Sequence, residues 1–106
     1  MELQVKIYVL IDPITLKVRY IGRTICSLKK RLAEHMSKAK SEKFNTHKNN
    51  WLRNLMKINS KPFIKQIALI EGWENSYIFE CKLIEKYKNR LLNHNDRGEG
   101  GKNKIV

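Results

Sequence analysis

Cysteine is almost missing from this chain of 106 residues, which has only Cys26 and Cys81, far apart. They form no CxxC pair, so neither a zinc site nor a disulfide framework is indicated, and both are expected as reduced thiols. Long apolar runs are missing as well, since none approaches the ~20 residues that a membrane span needs. The N-terminus lacks the pattern of a signal peptide, which gives the expectation of a cytoplasmic protein. No internal repeat and no second domain is visible, so residues 1–106 are expected to form one domain around a single modest core. The last scarcity is negative charge. Ten acidic residues stand against 22 lysines and arginines, giving a net charge of +12 and a pI near 9.9. A small chain this basic suits a polyanionic partner, nucleic acid first. A generally basic proteome with solvated lysines is the plainer explanation of the same charge.

What is present is organised around residues 6–35. Two alternating apolar runs, expected as strands over 5–11 and 17–22, flank Asp12-Pro13-Ile14-Thr15. They read as a β-hairpin with a loop of about five residues, Pro13 lying in the turn because it cannot donate to a ladder. Gly22 is expected to close the second strand, letting the chain turn sharply or approach a ligand. Ser27 is the candidate cap of a helix over 28–40, without the carboxylate of a capping box, since Lys30 stands there. Leu28, Leu32, Met36 and Ala39 form its apolar stripe. His35 falls within that stripe and Arg31 at its edge, one turn apart and turned toward the sheet, while Lys29, Lys30, Lys38 and Lys40 point elsewhere. A second helix is expected over 47–58, with Trp51, Leu52, Leu55 and Met56 inward and Lys48, Arg53 and Lys57 opposite. Residues 63–70 carry apolar side chains on both parities and read as a central strand. A last helix is expected over 76–90, then a flexible Gly-rich tail from about 94.

The last helix carries a carboxylate in an unexpected place. Its stripe is Tyr77, Leu83, Ile84, Tyr87 and Leu91, and Glu80 falls in the middle of it. A core-facing carboxylate is paired, protonated or bound to a metal. Arg31 or a lysine is the expected partner for a purely structural Glu80.

Ile7-Tyr8, then Tyr20-Ile21-Gly22, then Arg31 and His35, then Glu80 with Ile84 four residues on and Asn93 beyond, resembles the GIY-YIG nuclease family. The resemblance spans 6–101. Its first motif reads Lys6-Ile7-Tyr8, lacking the initial glycine but keeping the tyrosine. The asparagine is Asn93 or Asn95, with Asn93 favoured because it follows Leu91-Leu92. The resemblance implies an α/β fold, a small three-stranded antiparallel sheet flanked by helices in the order ββααβα. It implies a metal-dependent endonuclease hydrolysing phosphodiester bonds in DNA, with Tyr8, Tyr20, Arg31, His35, Glu80 and Asn93 catalytic. Tyr8 would be the general base through a lowered pKa, with His35 taking its proton or orienting it. Tyr20 would position water or phosphate, and Arg31 would stabilise transition-state charge. Mg²⁺, or Mn²⁺ in its place, would sit on Glu80, with Gly22, Arg23, Lys30 and Lys38 toward the substrate. A shared site requires both phenols on one sheet face, Tyr8 opposite or nearly opposite Tyr20 and Leu10 near Val18. The competing readings are a catalytically silent basic DNA- or RNA-binding module of the same fold, and a structural protein of a nucleoprotein complex. A monomer and a weak homodimer are both compatible with the sequence.

Overall fold

The computed structural model describes residues 3–41 and 45–93. The expected tail from 94, with His94 and Asn95, lies outside them. The elements are β1 (Gln4–Ile11), β2 (Val18–Thr24), α1 (Leu28–Lys40), α2 (His47–Lys57), β3 (Phe63–Glu71) and α3 (Trp73–Tyr87), followed by a 3-10 turn, Lys88–Arg90. The order is ββααβα, as the resemblance implied. The sheet is antiparallel throughout with β1 in the middle, in the order β2-β1-β3.

The residues of β1 explain its central position. Val5, Ile7, Tyr8 and Leu10 are wholly enclosed, which requires cover on both faces of the strand. β3 was expected there and lies instead at the edge, with Phe63, Ile67 and Leu69 open to solvent. Apolar residues on both parities describe a strand's composition, whereas its place in the sheet is set by pairing, and β3 pairs with β1 alone. Side-chain alternation then divides the core in two. On one face Tyr8, Leu10 and Tyr20 pack with Leu28 and Leu32 of α1, Trp51 of α2 and Ile64. On the other, Ile7, Val9 and Ile21 pack with Ile84 of α3 and with Leu91.

Local chemistry fixes the ends. Ser27 accepts the Lys30 N–H at 3.2 Å and Thr46 accepts the Asn49 N–H at 3.1 Å, each cap worth about 1 kcal/mol. The hairpin loop runs over 12–17, one residue longer than expected, and Asp12 closes it. Its Oδ1 accepts from the Ile14 and Thr15 amides, and its Oδ2 accepts from Trp51 Nε1 at 2.9 Å, pinning α2 to the loop. α3 begins at Trp73, three residues earlier than expected, because Gly72 turns the chain at φ 92°, a conformation glycine adopts without strain.

Candidate active site

The phenols of Tyr8 and Tyr20 leave the same sheet face, as a shared site requires, but they are not opposite one another. Tyr8 pairs with Gly22 and Leu10 with Tyr20, so the two tyrosines are diagonal neighbours. The expected pairing is displaced by two residues, a consequence of the longer loop and of a register shift between Leu10 and Ile11. Gly22 does not close β2, which continues to Thr24. Its lack of a side chain serves the tyrosine opposite: a Cβ at Gly22 would stand 2.5 Å from Tyr8 Oη and 2.6 Å from Cζ. Glycine is there because a phenol crosses over it.

α1 brings its one-turn pair to that phenol. Arg31 Nε donates to Tyr8 Oη at 3.0 Å, and His35 Nε2 lies 2.6 Å from the same oxygen. Arg31 Nη1 also donates to Glu34 Oε1 at 3.0 Å. The Tyr20 ring meets the His35 imidazole edge-on, with centroids 5.2 Å apart. Tyr8, Tyr20, Arg31 and His35 therefore form one cluster. Lys48 joins them from α2, its Nζ 3.2 Å from His35 Nδ1 and 5.0 Å from the centre of the Tyr20 ring. Lys48 was assigned to the outer side of α2 because it is charged, yet it is buried. Its spacing carried the signal: Lys48, Leu52 and Leu55 stand at i, i+4 and i+7 on one face.

Burial sets the protonation of this cluster. It pushes the Tyr8 phenol up to about 12, outweighing the downward pull of Arg31. The expected fall in the Tyr8 pKa is thus reversed in the free protein. Burial, then the charges of Lys48, Arg31 and Lys38, drives His35 down to about 2, so the imidazole is neutral.

The opposite sheet face holds the carboxylate. Arg23 alternates with Gly22 and faces α3, where Nη1 donates to the Trp73 carbonyl at 2.6 Å and to Ser76 Oγ at 3.0 Å. Its guanidinium stacks 3.8 Å above the Trp73 ring, and its Nε lies 3.5 Å from Glu80 Oε1. Glu80 is buried and paired to a cation, as a structural role would have it, the cation being Arg23 where Arg31 or a lysine was the expected candidate. Arg23 is consequently not a surface contact for substrate. Lys30 and Lys38 are exposed on α1. The Glu80 charge is still felt at Tyr8, where it adds to the upward shift. Asn93 does not join the phenols. Its Oδ1 accepts the Ile21 N–H at 2.8 Å and its Nδ2 donates to the Ile21 carbonyl at 2.7 Å, so one side-chain amide pairs with the β2 edge as a neighbouring strand would.

Among the described residues no three His, Cys, Asp or Glu side chains gather into a metal-binding group. A single hard carboxylate nevertheless fits Mg²⁺, which keeps several waters and takes other ligands from substrate phosphate. Glu80, buried beside Arg23, is of that kind.

A basic α/β domain that converges an arginine and a histidine on one tyrosine, with a lone carboxylate beneath the same strand, has the parts of a phosphodiester-cleaving domain. The model of the GIY-YIG catalytic domain matches residues 4–96, and the chain belongs to that nuclease family. No curated protein and no solved structure matches the chain closely enough to name a nearer relative.

Proposed function

We propose that the chain is a Mg²⁺-dependent endonuclease that cuts DNA. The observation that carries this is the convergence on Tyr8 Oη of Arg31 at 3.0 Å and His35 at 2.6 Å. A tyrosine serving only the core needs one hydrogen-bond partner; two polar groups, one of them cationic, prepare its oxygen to carry charge. Tyr8 is the base that takes the proton of the attacking water. Because its phenol is neutral in the free protein, it must first lose its own proton to solvent, and the phenolate then gains from the donors around it. Among the described residues Arg31 engages only Nε and one Nη1 hydrogen, so the rest of its fork can meet a phosphate oxygen and stabilise the charge that grows in the transition state. Tyr20, beside the imidazole, positions the phosphate or the water. Glu80 would hold Mg²⁺, with Mn²⁺ as a substitute. An ion held there would supply Lewis-acid chemistry. Arg23 orients Glu80, and Lys30 and Lys38 contact the DNA backbone.

The test is cleavage of supercoiled, single-stranded and branched DNA, with Mg²⁺ and with chelator, by the wild type, Tyr8→Phe and Glu80→Gln. Wild-type cutting that needs the metal, and loss of at least about a hundredfold in each variant with DNA binding retained, is expected. Binding without cutting by the wild type would make the chain a silent DNA-binding module. Normal rates in Glu80→Gln would make Glu80 a structural residue.

A further inference from the structure

Lys48 places an ammonium group inside the domain, a placement that needs a partner to offset its desolvation. One partner lies 3.2 Å away and is a ring nitrogen, His35 Nδ1. An ammonium has three hydrogens and no lone pair, so in this contact it can only donate. Nδ1 must then accept. A neutral imidazole carries one N–H, which this assigns to Nε2, the nitrogen facing Tyr8 Oη at 2.6 Å.

We infer that Lys48 is a positioning residue for the Tyr8 phenol, acting through His35 by fixing the imidazole as its Nε2–H tautomer. The inference rests on the reading of Tyr8 as the proton acceptor in cleavage. Its chemical content is a direction. Tyr8 Oη receives two hydrogen bonds, one from His35 Nε2–H and one from Arg31 Nε–H, so its own O–H is turned away from both. When that proton leaves, two donors already point at the oxygen that keeps the charge, and neither has to reorganise. The alternative arrangement, Tyr8 O–H donating to Nε2 with the imidazole proton on Nδ1, would set an N–H against the Lys48 ammonium. His35 therefore does not take the Tyr8 proton; it orients the phenol and stabilises the phenolate. The depressed basicity of His35 agrees, because an imidazole used as a donor gains nothing from accepting a second proton.

Nitrogen-15 NMR of the full chain labelled at histidine separates the tautomers, since a protonated ring nitrogen and a bare one resonate far apart. The wild type should show His35 protonated at Nε2. Lys48→Met, which keeps an unbranched side chain one atom shorter and removes its charge, should lose that preference and reduce kcat about a hundredfold with KM unchanged. Lys48→Arg restores a donor and should recover the tautomer and most of the rate. A wild-type His35 protonated at Nδ1, or an unchanged tautomer in Lys48→Met, overturns the inference. Should Lys48→Met fail to fold, the wild-type spectrum alone decides. A wild type that cuts no DNA removes the nuclease reading, while the spectra still judge the role of Lys48.

Discussion

Tyr8 and His35 touch across 2.6 Å, and burial holds each in its neutral form, one pushed up to about 12 and the other down to about 2. Both shifts tie stability to pH, in opposite directions. His35 in the unfolded chain binds a proton below pH 6.5 that the folded chain refuses, so stability falls as pH drops from 6.5 toward 2. Tyr8 in the unfolded chain releases a proton above pH 10 that the folded chain keeps until about 12, so stability falls as pH rises through that interval. Urea unfolding across pH 4–11 should give a plateau from about 6.5 to 10. On its acid side His35 should contribute a slope of about 1.4 kcal/mol per pH unit, and His35→Gln should remove that share. An acid limb identical in wild type and variant would place the titration elsewhere. The partnership of Arg31 with His35 was legible in the sequence, because 3.6-residue spacing puts them on one face. The direction of the Tyr8 shift was not, since residue types announce the nearby cations while only the packed fold supplies the burial that outweighs them. Lys48 was missed because its charge was weighed and its spacing was not.

Among the elements, β2 is the piece on which both halves of the site depend. Tyr20 and Gly22 face α1 and α2, whereas Ile21 and Arg23 face α3. Its outer edge is held where Asn93 pairs with both backbone groups of Ile21 and the Leu92 amide donates to the Arg19 carbonyl at 2.7 Å. Asn93→Ala leaves a buried N–H and a buried C=O without partners, at about 2–4 kcal/mol together. Asn93→Asp keeps the acceptor alone. Denaturant unfolding should show the larger loss in Asn93→Ala, with faster amide exchange at Ile21. Lost cleavage with unchanged stability and unchanged Ile21 exchange would move Asn93 from scaffold to chemistry. Apolar spacing and a capping serine foretold α1 over its whole length. The edge position of β3 was not foretold, because which strands a strand pairs with is a property of the assembled molecule. Asn93 was expected to be catalytic by resemblance; in the structure its side-chain amide pairs with the Ile21 backbone.

For the molecule as a whole, the excess of twelve positive charges outweighs any base-reading surface that so small a domain presents. Among the described residues no helix is long and apolar enough to cross a membrane. Phosphate contacts carry affinity without sequence information, while each good base pairing adds roughly 1–3 kcal/mol of discrimination. DNA affinity should therefore fall steeply with salt. Lys30→Ala and Lys38→Ala should each lower the logarithmic salt slope by about 0.9, with little change in the rate of cutting at saturation. Sequenced ends from a random DNA library should show weak preference. A consensus of about six or more bases would call instead for a dimer that doubles the readout.

The crossing of Tyr8 over Gly22 also bears on how such a protein changes over generations. Alanine is one base substitution from glycine in every glycine codon, and its methyl would fall on the phenol oxygen. The ring would have to shift from its place between Arg31 and His35, while the exposed Lys30 and Lys38 would stay where they are. On the proposed function, a protein that cuts DNA and one that only occupies it would thus be neighbours in mutational space, separated at this position by a single carbon atom.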